Sequence, residues 1–102
     1  MLGWFRPTRL LFVEFEWDDD KNLQNIRKHG LDFNDAWEVF AGPMVPELDL
    51  RINYGEDRWS LIGLLGNRVV VVTFTVRSRE TIRIISLRKA SRHERQKFEE
   101  GI

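Results

Sequence analysis

The sequence predicts an α+β domain, with two helices near the N-terminus and one at the C-terminus packed around an antiparallel sheet. Three observations carry that expectation. Strand-like runs at residues 58–65 and 68–77 flank Gly66-Asn67, a dipeptide suited to a two-residue hairpin loop. Phe33, Ala36, Trp37 and Phe40 follow the i, i+3, i+4, i+7 spacing of a helix facing a core. Ser91-Arg92-His93-Glu94 matches the S-x-x-E capping box that opens a helix. At 102 residues and 42% hydrophobic, the chain has enough length for one core and too little for two. The expected organisation is an N-terminal extension over residues 1–10 and a single domain over 11–102.

Leu11 to Trp17 opens the domain as a strand, with Val13, Phe15 and Trp17 on one side and Glu14 and Glu16 on the other. Asp18-Asp19-Asp20 follows. An aspartate ahead of a helix accepts bonds from the free N–H groups, and acids in the first turn favour the positive dipole end. The first helix therefore spans about residues 19–29 and ends at Gly30, the residue best able to turn left-handed. Asp32 caps the second helix and Gly42-Pro43 ends it. Met44 to Leu50 forms a short strand, and its Pro46 suits a sheet edge. Residues 51–57 form a polar loop. Trp37 and Trp59 read as core.

If Leu65 faces Arg68 across the hairpin, the remaining partners follow. Arg58, Ser60 and Glu56 then share one face with Thr75, Thr73 and Arg77, and Trp59, Leu61 and Gly63 share the other with Phe74, Val72 and Val70. A further strand covers Ile82 to Leu87. An odd-numbered turn around Arg79-Glu80 places Arg83 on the polar face with Arg77 and sends Ile82 and Ile84 into the core, which avoids burying a charge. The last helix carries one large apolar residue before the terminus, Phe98, and a helix so thinly anchored is expected to be mobile or to dock on a partner.

The 16 Lys and Arg balance the 16 Asp and Glu, but residues 67–97 hold nine bases against two acids, an asymmetry that suits a polyanion. The chain has no cysteine, which excludes disulfides, thiolate zinc sites and thiol nucleophiles. The apolar run Leu10 to Val13 is shorter than a signal-peptide core of about 7–15 residues, and no run approaches the roughly 20 residues of a membrane span. A cytoplasmic protein is expected. His29 and His93 belong to no metal-binding spacing, and Gly63 to Gly66 lacks the Lys and Ser/Thr of a phosphate loop, so neither metal nor cofactor is expected.

The chemistry left is cationic. Arg58, Arg77 and Arg83 beside a helix end carrying Lys28 and His29 can hold a phosphodiester and offset the charge that grows on it. RNA supplies its own nucleophile, the 2′-hydroxyl, and an imidazole titrating near pH ~6.5 is the natural proton carrier. Each element also has a plainer reading. Lys28 and His29 complement a helix dipole, and an arginine row pairs with Glu56 or Glu80 on a solvated face. From spacing alone a nuclease is the minority reading.

Asn25-Ile-Arg-Lys-His-Gly30, then Phe33, Ala36, Val39 and Phe40, Gly55-Glu-Asp-Arg58, Thr75-Val-Arg77 and Ile82-Arg-Ile-Ile-Ser-Leu-Arg-Lys-Ala90 together resemble the BrnT family of type II toxin–antitoxin ribonuclease toxins. The resemblance runs from about Phe15 to Phe98. It implies a RelE-like fold, metal-independent endoribonuclease activity that arrests translation, and neutralisation in a hetero-oligomer with a BrnA-type antitoxin, through which alone the toxin reaches operator DNA. The basic residues falling in the family's motifs are Lys28, His29, Arg58, Arg77, Arg83, Arg88 and Lys89. Our assignment makes His29, Lys28, Arg58, Arg77 and Arg83 catalytic and gives Glu56, Arg88 and Lys89 to RNA binding. The second reading is a non-enzymatic module that binds nucleic acid or protein through the same basic face. Three positions depart from the pattern: Leu87 replaces a small residue, Phe98 replaces a tyrosine, and residues 1–10 precede the usual start.

Overall fold

The computed structural model describes residues 4–5, 13–49 and 58–101. Glu56 and the 51–57 loop lie outside the described residues, as does most of the 1–10 extension. A six-stranded sheet in the order β1-β2-β6-β5-β4-β3 carries three α-helices. The strands are β1 (Trp4–Phe5), β2 (Val13–Glu16), β3 (Met44–Asp49), β4 (Arg58–Leu65), β5 (Arg68–Ser78) and β6 (Thr81–Lys89), and the helices are α1 (Asp19–His29), α2 (Trp37–Ala41) and α3 (Arg92–Gly101). The α+β expectation holds, with β1 as an additional edge strand. The sheet is not wholly antiparallel, because β2 pairs with β6 in parallel while every other pairing is antiparallel.

The local signals work as read. Asp18 accepts from the N–H groups of Asp20 and Lys21 at 2.9 and 3.1 Å and caps α1. Gly30 closes that helix at φ 70°, its N–H donating to the Ile26 carbonyl at 2.8 Å. β3, with its Pro46, lies at the sheet edge. Ser91 and Glu94 exchange the two bonds of the capping box at 2.9 and 3.2 Å.

The second helix departs from expectation. Asp32 caps only a 3₁₀ turn, Phe33–Asp35, in which Ala36 N–H donates to the Phe33 carbonyl at 3.0 Å, while α2 itself starts from Ala36 without a side-chain cap. Three residues per turn shift the buried stripe to Phe33, Ala36 and Val39. Trp37 is thereby carried outward and is 43% exposed. Trp59 is also no core residue, at 37% exposed. It stands at the start of β4, whereas α2 meets that strand at Gly63, where an added Cβ would lie 2.9 Å from Val39 Cγ1.

Each sheet face has its own cluster. Phe15, Leu31, Phe33, Val39, Val70, Val72, Ile84 and Leu87 pack on the side of α1 and α2, joined by Phe40, whose ring lies 5.1 Å from that of Phe15 and 5.2 Å from that of Phe74. On the opposite side Ile62, Val71 and Phe98 form a smaller cluster under α3. That helix leaves part of this second face open.

Candidate functional site

The open face is built by register. Pairs run from Leu65↔Arg68 to Trp59↔Phe74 as expected, and Arg58, one residue further, is half-buried on the same side as Ser60. The β5–β6 ladder then departs twice from regular pairing. Ser78 faces Thr81 across the two-residue turn Arg79-Glu80, which is even and not odd, but a bulge leaves Arg77 without a ladder partner and corrects the parity. Arg83 consequently faces Thr75 on the polar side, while Ile84 is buried and Ile82 packs against the core.

The second bulge matters more. Phe74 faces Ile84 but Thr73 faces Ser86, so Ile85 is the extra residue. Without it, Ser86 and Arg88 would share the core face with Ile84, because side chains alternate along a strand. The bulge turns both onto the face that carries Arg83 and sends Leu87 inward, where it is fully buried. Cross-strand rows result. The first contains Thr75, Arg83 and Glu16, with Arg83 donating to the Glu16 carboxylate at 2.8 Å. The second contains Ser60, Thr73 and Ser86, the first two sharing a 3.1 Å hydroxyl bond. The third contains Ile62, Val71 and Arg88.

Helix α1 closes the β6 side. β2 pairs with β6 only as far as Arg83, and beyond it Asn25 takes the place of a strand. The Asn25 amide donates to the carbonyls of Leu87 and Leu31 at 2.8 and 2.9 Å and accepts from the Leu87 N–H at 3.2 Å. This seats the end of α1 against Ser86. A cleft of about 270 Å³ opens there, lined by Lys21, Gln24, Lys28 and His29 from the helix and Ile85 and Ser86 from the strand.

Burial, then the Lys28 ammonium, then the Arg88 guanidinium hold the His29 pKa below its ordinary 6.5. Its imidazole is therefore neutral at pH 7 and able to accept a proton. Arg88 itself donates twice to Glu94 at 2.7 and 2.8 Å, and this fork holds the Glu94 carboxyl down to about 2.

Of the expected site residues, Lys28 and His29 line the cleft with Ser86, and Arg58, Arg83 and Arg88 share by register the sheet face that carries the hydroxyl row. Arg77 is exposed on its bulge, past the first row. Lys89 faces Val70, so it projects to the other side of β6 from Arg88. Ser86 and Lys21 escaped the reading of the sequence. Lys21, Gln24, Asn25 and Lys28 have the i, i+3, i+4, i+7 spacing that would have exposed one polar helix stripe, whereas Ser86 depends on a bulge with no Gly or Pro to mark it.

Among the described residues no group of three His, Cys, Asp or Glu is placed to hold a metal ion, and no helix is long and apolar enough to cross a membrane. A search of curated proteins returns no match. The family model for the ribonuclease toxin BrnT of type II toxin–antitoxin systems matches residues 17–94. The crystal structure of the Brucella abortus ribonuclease toxin BrnT is similar at a TM-score of 0.61 and 32% identity, over 76% of this chain and 96% of that one. With a family match over most of its length and an arrangement of cations, imidazole and hydroxyls suited to a phosphodiester, this chain belongs to the BrnT family of ribonuclease toxins.

Proposed function

We propose that the protein is a metal-independent endoribonuclease that arrests translation by cutting RNA on the open sheet face. The observation that carries this reading is the cleft in which Lys28 and His29 meet Ser86. Neutral His29 accepts the proton of an RNA 2′-hydroxyl, whose oxygen attacks the adjacent phosphorus. The bond to the 5′-oxygen breaks, leaving a 2′,3′-cyclic phosphate on one product, and the departing oxygen takes a proton from solvent to give a free 5′-hydroxyl on the other. Arg58 and Arg83 hold the phosphate and offset its growing charge, with Lys28 and Arg77 in support. Arg88 and Lys89 carry the RNA onward, and Glu56 orients an arginine or shares the role of base. Cations and hydroxyls dominate this donor set among the described residues, where its acid, Glu16, is tied to Arg83, so the site favours an anion over a divalent cation.

A BrnA-type antitoxin neutralises the toxin in a hetero-oligomer, and contact with operator DNA runs through that partner. Both work in the cytoplasm. Purified protein is expected to cut RNA in the presence of a chelator, with His29→Ala slower by about 10²–10⁴-fold and Arg58→Ala by about 10²–10³-fold. Two variants that cut like the parent overturn the assignment. Intact RNA with salt-sensitive binding supports the non-enzymatic module in its place.

A further inference from the structure

The basic groups of residues 67–97 do not all serve the open face. At the tip of the β4–β5 hairpin a second cleft of about 330 Å³ is lined by Asn67, Arg68, Val69, Lys89, Ala90 and Arg95. Three elements build it. Gly66, at φ 63°, turns the chain so that Asn67 and Arg68 reach the sheet end. Ala90 N–H donates to the Val69 carbonyl at 3.0 Å and holds the end of β6 beside them. Arg95 enters from the first turns of α3, its N–H donating to the Ser91 carbonyl at 2.9 Å. Among the described residues, none of Arg68, Lys89 and Arg95 has an acidic partner. The nearest acid in sequence, Glu94, is committed to the Arg88 fork and the Ser91 N–H.

We infer that this cleft is a second phosphate-binding site, which grips the RNA strand away from the reacting bond; the inference rests on RNA being the substrate of the open face. Ser86 lines the first cleft and Lys89 the second. Three strand residues separate them by about 10 Å along β6, and Lys89 projects from the other side of the strand, so RNA joining the two clefts passes around the end of the sheet. Arg88 lies between the two in sequence, its guanidinium held by the Glu94 fork. Two guanidinium forks and an ammonium suit phosphate oxygens, and Asn67 adds an amide able to bond a ribose hydroxyl or a base edge. An acidic protein segment is the weaker fit, since the cores of protein interfaces favour aromatic side chains and exclude lysine. Among the described residues, the exposed large apolar side chains Leu23, Trp37, Met44, Trp59 and Val76 all lie outside this cleft.

The test is equilibrium binding of 2′-O-methyl RNA, which lacks the nucleophile and stays intact, at lengths of four and ten nucleotides across a salt series. The full-length parent is compared with Arg68→Ala/Arg95→Ala, and thermal melts establish that both are folded. The parent is expected to hold the ten-mer more tightly and with a steeper salt slope than the four-mer. In the double variant the ten-mer binds roughly five- to tenfold more weakly at low salt, and its slope falls by about 0.7 per lost phosphate contact. Coincident ten-mer isotherms and slopes overturn the inference while leaving the ribonuclease reading intact. Coincident isotherms together with weakened capture of the antitoxin reassign the cleft to a protein partner and overturn it equally. A parent that neither binds nor cuts RNA overturns both readings.

Discussion

His29 shows how a residue's role depends on its neighbours. At the end of α1 its imidazolium form would complement the helix dipole, yet burial, Lys28 and Arg88 all act against the charged form. The neutral ring prevails at pH 7, which suits a proton acceptor. The acid limb of kcat/KM for RNA cleavage should therefore fall below pH 6.5, with activity lost as pH drops and His29 gains its proton. In Lys28→Ala one opposing charge is gone, so the limb should move upward in pH. A pH–rate profile of parent and variant checks this, and an unshifted limb would detach His29 from the titration. Asn25 shows the same dependence in structural form. Its identity was legible within the motif, but its use as a substitute strand for Leu87 required β2 to end where it does.

At the scale of elements, caps and bulges divide the legible from the illegible. The α3 capping box was readable from four residues, because each of its bonds reaches only three positions along the chain. Its coupling to β6 was not, since Arg88 reaches Glu94 only when the Ile85 bulge has turned it to that face. The Glu94 pKa is lowered to about 2 from an ordinary 4.5 by that guanidinium first, against a smaller opposing effect of burial. A depressed carboxyl contributes stability that is fully present above its unfolded value and lost as pH falls toward the folded one. Glu94→Gln should therefore destabilise the fold at pH 7 by about 1–2 kcal/mol, after solvent screening is allowed for, and should flatten the stability profile between pH 5 and 2. Urea unfolding across that range reads both effects; parallel profiles for parent and variant would contradict them.

For the whole molecule, two clusters of unequal size cover the two faces of one sheet. The larger lies under α1 and α2, while the smaller depends on Phe98, which is 4% exposed against Ile62 and Val71. α3 was expected to be thinly anchored, and Phe98 is the single large side chain it buries. The Arg88–Glu94 pair adds a second attachment, and Gly101 a third, where an added Cβ would lie 2.7 Å from Val45 Cγ2. Phe98→Ala should cost about 3–5 kcal/mol and uncover the apolar half of the face. The measurement is the urea midpoint together with hydrophobic-dye binding. Phe98→Leu is expected to recover much of the loss, and an unchanged midpoint in the alanine variant would show α3 held by its polar contacts alone.

The sequence by itself determined the α+β class, the spans of α1, β4 and β5, the start of α3, the hairpin register and, by resemblance, the family. All but the family, which rests on the resemblance of its motifs, follow from periodicity, turn residues and caps, whose causes lie within a few residues of their effects. Only the tertiary structure decided the 3₁₀ phase that exposes Trp37, the parallel place of β2 and the second cleft at the hairpin tip. It also decided which face each basic residue of β6 occupies. One unmarked extra residue, Ile85, inverts the faces of everything after it, so Arg83 and Arg88 meet on one side and Lys89 leaves for the other. A bulge is settled by how two strands and the helix beside them pack, and a strand's own pattern does not contain that information.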